Sequence, residues 1–390
     1  MMTIPDVRPA ILTRRMALLL LASFAAMTSF YLLLSVVPLY AATAGAGGVG
    51  AGLATGVMML ATVLVELGTP RLIGRFGYRA VLAAGLTLLG LPAAALAASQ
   101  ALPFVLVVCL ARGAGLAAVV VGGTALVAEL VPAERRAEGL GLYGLAVGIP
   151  ATVGLPLGVW LSDHLGFRPV FGLAAVVALV ALAAVPGLPS RGGQADHDER
   201  AAPGGVLGVL RTGAIARPAL VFAAVTLAAG VVVTFLPLAL SPSARQLAAA
   251  ALLVEASAAP LARWGAGRFG DRHGSGRLLL PAVLAAAVGT AALVLVDNPV
   301  ALLAGMALFG LGFGAAQNVT LALMFDRASK AEFGRVSALW NLAFDGGIGV
   351  GAVGFGLLVG PAGYPVGFAV TAAVLFAAAL PSLWDRRTAG

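Results

Sequence analysis

Long apolar stretches alternate with short polar connections along almost the whole chain. A helix that crosses a membrane needs about 20 mostly apolar residues, and the chain offers twelve stretches of that kind. They are predicted at 16–39, 49–69, 79–98, 102–131, 139–161, 168–186, 217–240, 247–266, 277–296, 300–325, 335–359 and 364–383. The pattern therefore predicts an all-α membrane protein with twelve transmembrane helices.

The composition favours lipid rather than water as the solvent of this chain. Hydrophobic residues make up 61% of the 390 residues, and charged residues only 10%, against about 25% in soluble domains. The mean hydropathy is +1.02. The net charge of +8 comes from arginines placed singly or in pairs between apolar stretches, so a membrane explains it better than nucleic acid does. The single cysteine, Cys109, excludes an intrachain disulfide.

The placement of basic residues predicts the orientation, because loops rich in Lys and Arg stay in the cytoplasm. Of the 24 Lys and Arg residues, all but Arg112, Arg168 and Arg245 fall in tails, connections or helix ends that one orientation places inside. Both termini are therefore expected in the cytoplasm, and the protein in a bacterial cytoplasmic membrane. The apolar run after Arg14 and Arg15 is too long for a signal peptide and is predicted to be the first transmembrane helix.

The longest polar stretch, at 189–211, lies in the middle of the chain and has no hydrophobic periodicity. It predicts a six-helix bundle over 1–188, a cytoplasmic linker over 189–216 and a second six-helix bundle over 217–390. Asp196, His197 and Asp198 lie in this linker. Metal binding there is an alternative, but a solvated loop is favoured, and no metal or other cofactor is expected.

The two halves resemble each other at a nearly constant offset. LYGLA at 142–146 and LWNLA at 339–343 are 197 positions apart, and SVVPL and TFLPL match at an offset of 199. The offset of 197 also relates Gly77 to Gly274, Gly113 to Gly310, and Gly115 to Gly312. This repeat predicts two pseudo-symmetric six-helix bundles, an arrangement that in transporters places the substrate site at their interface near mid-membrane.

A glycine-rich basic loop is predicted after the eighth helix, with the sequence GRFGDRHG from Gly267 to Gly274. It includes Asp271 and Arg272. It resembles the signature loop of the major facilitator superfamily, which is similar to G-x-x-x-D-R-x-G followed by basic residues, and the resemblance covers nearly the whole chain. Glycine permits the tight reversal. Asp271 is expected to face the positive N-terminal end of helix five, near Gly139, and so to latch one transporter state.

The corresponding predicted loop after the second helix has the sequence PRLIGRFGYR at 70–79. It retains Arg75 and Gly77. Pro70 and Gly74 stand where the superfamily pattern has its first glycine and its acid.

Two further segments, in the predicted fourth and fifth helices, resemble patterns of the major facilitator superfamily. Arg112 is followed by Gly113 and Gly115 in helix four, which resembles the superfamily's pattern of an intramembrane arginine followed by glycines, although the usual glutamine is absent. The glycines and prolines of 139–161 resemble the fifth-helix motif of drug–proton antiporters. The resemblance implies a secondary active transporter that couples protons to export.

Four ionisable side chains are predicted inside the membrane: Arg112, Glu255, Asp345 and Glu66. A charge at the bilayer centre costs about 2.5–3.5 kcal/mol on insertion scales, so such residues are usually functional. Asp345 or Glu255 is the predicted proton-binding acid, with Arg112 as its electrostatic partner or as a substrate contact. Glu66 corresponds to Arg263 at the offset of 197, and an ion pair between them is a further hypothesis.

Polar residues recur along the predicted eleventh helix at a spacing of four, at Ser337, Asn341 and Asp345. They share one helix face, which must contact another helix or an aqueous cavity because lipid leaves polar groups unsatisfied. Candidates for the lining of a substrate cavity are Asn341, Gln317, Asn318, Tyr31 and Trp340.

The chain has no P-loop, HExxH, paired CxxC or G-x-S-x-G sequence, so direct use of ATP and enzymatic activity are not expected. Proton-coupled efflux of small amphipathic compounds is favoured. Uptake or export of a polar metabolite is the alternative, because Ser23, Thr28, Ser29 and Ser35 lie in the first helix. A sensor or membrane enzyme is a remote third possibility. The expected partners are a small solute, protons and the lipid bilayer, and the protein is expected to be monomeric.

Overall fold

The computed structural model describes residues 11–132, 135–190, 213–329 and 332–387. We number the membrane-crossing segments as spans 1 to 12. Span 1 comprises helices Arg14–Leu34 and Val36–Ala41, and spans 2 and 3 are the parts of helix Gly47–Ala95 before and after Gly77. Spans 4, 5 and 6 are Leu102–Leu130, Arg136–Leu165 and Phe167–Val180, the last extended by a 3-10 helix at Ala181–Gly187.

The second half of the chain has the same number of spans. Span 7 is Gly213–Ala239, span 8 is Arg245–His273, span 9 is Gly276–Ala292 and span 10 is Pro299–Asp326. Spans 11 and 12 are the parts of helix Phe333–Arg387 before and after Gly363. The described residues form no β-strand.

The described chain contains nine uninterrupted helical stretches that are long and apolar enough to cross a membrane. The stretch over 14–95 includes spans 1 to 3, and the stretch over 333–380 includes spans 11 and 12, so the spans number twelve. Gly77 and Gly363 reverse the chain with φ of 80° each, a conformation that costs glycine little. The prediction of an all-α protein with twelve transmembrane helices is confirmed.

The predicted loops after the second and eighth helices are mostly helical, so their predicted extent was wrong. Arg75 lies inside helix Gly47–Ala95, and span 8 continues to His273. The physical reason is that one residue with positive φ is enough to reverse the chain, which Gly77 and Gly274 provide. Span 7 also begins at Gly213, inside the predicted linker. Residues 191–212 of that linker, with Asp196, His197 and Asp198, lie outside the described residues.

The repeat seen in the sequence is also present in the packing. A Cβ atom on Gly113 would meet the carbonyl oxygen of Met58, and one on Gly310 would meet that of Glu255. Both members of the first pair are 197 positions from their counterparts in the second. The same relation holds between the approach of Gly115 to Gly85 and that of Gly312 to Ala282. Two pseudo-symmetric bundles, spans 1–6 and 7–12, are therefore confirmed.

The bundles share apolar packing at only one end. Arg14, Arg75 and Arg272 mark what we call the Arg-rich end, where each bundle has its own apolar cluster. One includes Met16, Tyr78 and Leu126, and the other includes Ile215, Met324 and Val336. Toward the opposite end the apolar cores combine both bundles: Ala51 and Val159 pack into the core of spans 7–12, and Ile348 into that of spans 1–6.

Candidate functional site

A tight seam joins spans 2 and 11 in the half of the molecule away from the Arg-rich end. Cβ atoms added to Gly48, Gly52 and Gly56 would overlap Val359, the carbonyl of Ala352, and Val353, respectively. Glycine allows this because it has no side chain to separate the two backbones. The seam ends where Gly349 meets Met59.

Hydrogen bonds and an ion pair close the same half between other spans. The Ser35 hydroxyl donates to the carbonyl of Val233 at 2.7 Å, and Thr152 donates to the carbonyl of Ala256 at 3.2 Å. Two further contacts between the bundles are Thr55 with Thr234 at 3.0 Å and Arg245 with Asp163 at 3.5 Å. The sequence singled out Ser35 only as a polar residue of the first helix, and Arg245 only as one of the few basic residues outside the inner tails and connections; it did not predict their contacts between the bundles.

Glu255 and Asp345 lie just beyond the closed seams, on the side of the Arg-rich end. Glu255 precedes Ala256 in span 8, and Asp345 lies one helical turn from Gly349 in span 11. They are 7% and 8% exposed. Neither carboxylate has a hydrogen-bond or ion-pair partner within the described part of the chain. A buried carboxylate without a partner is costly, so this pair is the candidate functional site.

Residues of the first bundle face these acids across the interface. Tyr31 of span 1 interacts electrostatically with Asp345, Glu255 and Arg263, and Glu66 of span 2 interacts electrostatically with Asp345. The structure therefore brings three predicted acids, one predicted tyrosine and Arg263 into one cluster between the bundles. The cluster contains three carboxyl groups and only one guanidinium. Because acidic groups are in excess, it can hold a proton or another positively charged group.

The hypothesis of an ion pair between Glu66 and Arg263 was wrong for this structure. Arg263 donates from Nη1 to Oε1 of Gln317 in span 10 at 3.3 Å. Glu66 is half-buried, and its charged neighbour in the described chain is Asp345. The pseudo-symmetry places Glu66 and Arg263 at equivalent positions of the two halves, but equivalence does not require contact.

The other cavity candidates lie on spans 10 and 11. Trp340 donates from Nε1 to the Thr320 hydroxyl at 3.2 Å, and its ring stacks on that of Phe222 at 4.6 Å. Asn341 is half-buried one turn from Asp345, and Asn318 lies beside Gly267 of span 8. Trp340 is thus held within the second bundle, whereas Asn341 and Asn318 have no hydrogen-bond partner among the residues described.

A known protein family matches the sequence of this chain over most of its length. The model of the Major Facilitator Superfamily matches residues 19–295 and 219–389, which together cover most of the chain. The chain belongs to the Major Facilitator Superfamily. It is therefore a secondary transporter and a multi-pass membrane protein.

Solved MFS structures share its fold. The nucleoside transporter NupG matches with a TM-score of 0.77 at 14% identity, over 96% of this chain and 99% of that one. A bacterial homolog of the human lysosomal transporter Spinster, in an inward-facing and occupied conformation, has a TM-score of 0.74 at 13% identity, over 96% of both chains. The xylose transporter XylE from E. coli, partially occluded and inward open, has a TM-score of 0.74 at 12% identity, over 94% and 96%. Identities this low establish the fold alone.

Curated relatives match a short segment only. Uncharacterized MFS-type transporters from two strains of Mycobacterium tuberculosis are each 37% identical over 81 residues. That segment is 20% of this chain and 12% of the relatives, so it spans only a small part of their length.

Arg112, the intramembrane arginine of the MFS pattern, is tied to backbone groups of its own bundle. It is 1% exposed and donates to the carbonyls of Leu89 at 2.5 Å and Ser29 at 2.8 Å. The prediction that Arg112 partners Glu255 or Asp345 is wrong for this conformation, because its side chain lies among spans 1, 3 and 4.

Arg112→Lys is expected to lower the free energy of unfolding by about 1.5–3 kcal/mol, the value of one hydrogen bond from a charged group. Lysine is a point charge and cannot replace a guanidinium that reaches two carbonyls in different spans. Thermal unfolding in detergent measures the loss, with Arg168→Lys, at an exposed position, as control. Unchanged stability together with lost transport would instead support the coupling role predicted from the sequence.

The two signature segments both lie at the Arg-rich end. Gly77 and Gly274 have φ of 80° and 85° and reverse the chain there. Arg75 lies over the ring of Phe76 at 5.2 Å. Asp271 and Arg272 are exposed, and Asp271 has no partner in the described chain. The predicted latch between Asp271 and the start of span 5 is therefore not formed in this conformation.

Proposed function

We propose that this MFS chain exports small amphipathic compounds in exchange for protons, by alternating access. The observation that carries the proposal is the pair of buried carboxyl groups of Glu255 and Asp345, which have no partner among the described residues, at the closed end of the space between the bundles. Protonation neutralises a carboxylate and removes the cost of burying its charge. A site that alternates between exposure to the two sides of the membrane can therefore carry a proton across it.

The distribution of arginines supports a cytoplasmic location for the Arg-rich end. In a bacterial cytoplasmic membrane, both termini are then in the cytoplasm, and the bundles are apart on the cytoplasmic side and closed on the outer side. An exporter loads its solute from the cytoplasm, which is the side accessible in this conformation. Nothing in this mechanism requires a second protein chain.

Aromatic side chains beside Asp345 support an amphipathic solute. Trp340 and Phe344 have ring centroids 5.9 Å apart, and Phe313 lies 6.3 Å from Phe344. An apolar wall next to a carboxyl group suits a molecule that has both an apolar body and a polar or charged group.

A polar metabolite is the second candidate, supported by the unpartnered amides of Asn341 and Asn318. These groups offer donors and acceptors to a solute rich in hydroxyl groups. The nucleoside and xylose transporters that share the fold are named for solutes of this kind.

Everted membrane vesicles from cells that produce the chain provide the test. An acidic vesicle interior is expected to drive accumulation of fluorescent amphipathic compounds, and a proton uncoupler is expected to abolish it. Nucleosides, sugars and amino acids are assayed in parallel. Accumulation that persists with the uncoupler would exclude proton coupling, and accumulation of polar metabolites alone would favour the second candidate.

A further inference from the structure

Spans 5 and 8 run antiparallel and are already in contact over half of their length. Thr152 bonds to Ala256, and Asp163 pairs with Arg245. In each pair the two residue numbers add to 408, which is the relation expected for antiparallel helices in one register. The interface therefore predicts which residues would meet if it extended toward the Arg-rich end.

Beyond Thr152, span 5 presents an open face of glycines toward the Arg-rich end. Gly148, Gly144 and Gly141 are spaced by four and three residues, so they lie on one face of the helix. A Cβ atom on any of them would have no neighbour within 4 Å. We call this face the glycine groove. It continues the existing interface between spans 5 and 8, and none of the described residues fills it in this conformation.

Span 8 carries a large unpaired side chain at the matching position. Trp264 is 65% exposed, and the guanidinium of Arg268 lies over its ring at 4.8 Å. Trp264, Pro260, Gly267 and Asp271 line one cavity of about 410 Å³. If the same pairing continues, residues whose numbers add to 408 lie opposite each other. Pro260 is then opposite Gly148, Trp264 is opposite Gly144, and Gly267 is opposite Gly141. The same pairing places Asp271 opposite the first turn of span 5, which begins at Arg136.

We propose that the glycine groove of span 5 is the docking surface for Trp264 of span 8 when the Arg-rich end closes. The indole ring then covers Gly144, where no side chain obstructs it, and buries one of the largest apolar surfaces a residue can offer. The same movement brings the Asp271 carboxylate to the N-terminal amides of span 5, where a negative charge is favourable. The inference rests on alternating access, as proposed above, but not on protons or on any particular solute.

Disulfide cross-linking of Gly141→Cys with Gly267→Cys tests the register without altering Trp264 or Gly144. Both substitutions are made in Cys109→Ala, and the variant Gly52→Leu is included to disfavour closure at the opposite end. The matched control is Gly141→Cys with Gly265→Cys: a Cβ atom at Gly265 has no neighbour within 4 Å, whereas one at Gly267 meets only the Asn318 side chain, at 3.3 Å, and the two positions face different sides of span 8. The first pair is expected to cross-link at least about tenfold faster, because the control thiols point apart.

Variants of the groove and of the side chain test the docking itself. Gly144→Leu is expected to lower the cross-linked fraction at least about fivefold, because it overfills the groove, whereas Gly172→Leu, at another open position, leaves it unchanged. Trp264→Ala is expected to lower it as well, unlike Leu261→Ala, which removes a side chain that is 69% exposed.

Cross-linking of Thr152→Cys with Ala256→Cys, measured in each variant without Gly52→Leu, reports whether the variant folds with the existing seam intact. Equal cross-linking of the Gly267 and Gly265 pairs, or a Gly144→Leu variant that cross-links like the parent, would overturn the proposal. Cross-linking does not depend on which solute or ion is transported. Failure of proton-driven export would therefore leave this result standing, and the two proposals can fail separately.

Discussion

Asp345→Asn is expected to reduce proton-driven transport about a hundredfold or more, the scale on which loss of a proton-transferring side chain acts, and Glu255→Gln is expected to do the same. Each amide keeps the shape of the acid but cannot release and rebind a proton. Both acids are buried without a partner among the described residues where the bundles meet. Accumulation of solute in everted vesicles under an imposed proton gradient measures the effect.

Two controls separate loss of coupling from loss of structure or binding. Glu332→Gln changes a partly exposed acid at the Arg-rich end, where it pairs with Arg335 at 3.3 Å, and it is expected to transport normally. Solute exchange without a proton gradient is expected to persist in Asp345→Asn and Glu255→Gln, because exchange needs only the solute site. Full gradient-driven accumulation in both variants would rule out proton binding at this cluster.

Gly52→Leu is expected to prevent closure of the end opposite the Arg-rich end. A Cβ atom at Gly52 would already overlap the carbonyl of Ala352, so leucine cannot fit while spans 2 and 11 are in contact. Overpacking of this kind costs about 1–3 kcal/mol, which corresponds to a population shift of roughly five- to 150-fold. The measurement is labelling of Thr55→Cys, in Cys109→Ala, by a membrane-impermeant thiol reagent from that side.

Gly68→Leu is the matched control for this experiment, since it places the same side chain on the same span in open space. Thr55 is fully buried in the seam, so its labelling is expected to rise in Gly52→Leu and to stay at the background level in Gly68→Leu. Equal labelling in the two variants would show that the seam between spans 2 and 11 does not control access.

The acids of the site could be predicted from the sequence because charged residues are rare and costly within membrane-spanning stretches. In a chain with so few charged residues, Glu255, Asp345 and Glu66 stand out within apolar stretches, and their cost implies a role. The seam residues could not be found in this way. Glycines that bring two helices together cannot be told apart in the sequence from Gly68, where an added Cβ atom would meet no described neighbour within 4 Å, because glycine is abundant throughout the chain.

The position of Arg112 within the membrane could be predicted from the sequence, but the direction of its side chain could not. Its position in the chain predicts a buried charge near the acids, and it is buried. The direction of its side chain depends on how span 4 is rotated, and hydrophobic periodicity cannot indicate rotation when nearly every position is apolar. Packing of Gly113 on span 2 and of Gly115 on span 3 turns Arg112 toward the carbonyls of its own bundle.

The sequence by itself determined the number of spans, the two-bundle repeat at an offset of 197, and the identity of the buried acids. Each of these follows from local hydrophobicity or from internal similarity. Only the tertiary structure decided which faces meet: that Glu66 lies near Asp345 rather than Arg263, that Asp271 has no partner among the described residues, and that each bundle has its own apolar cluster at the Arg-rich end. These are relations between segments far apart in the chain, and they depend on how each helix is rotated and packed, which local hydrophobicity does not encode.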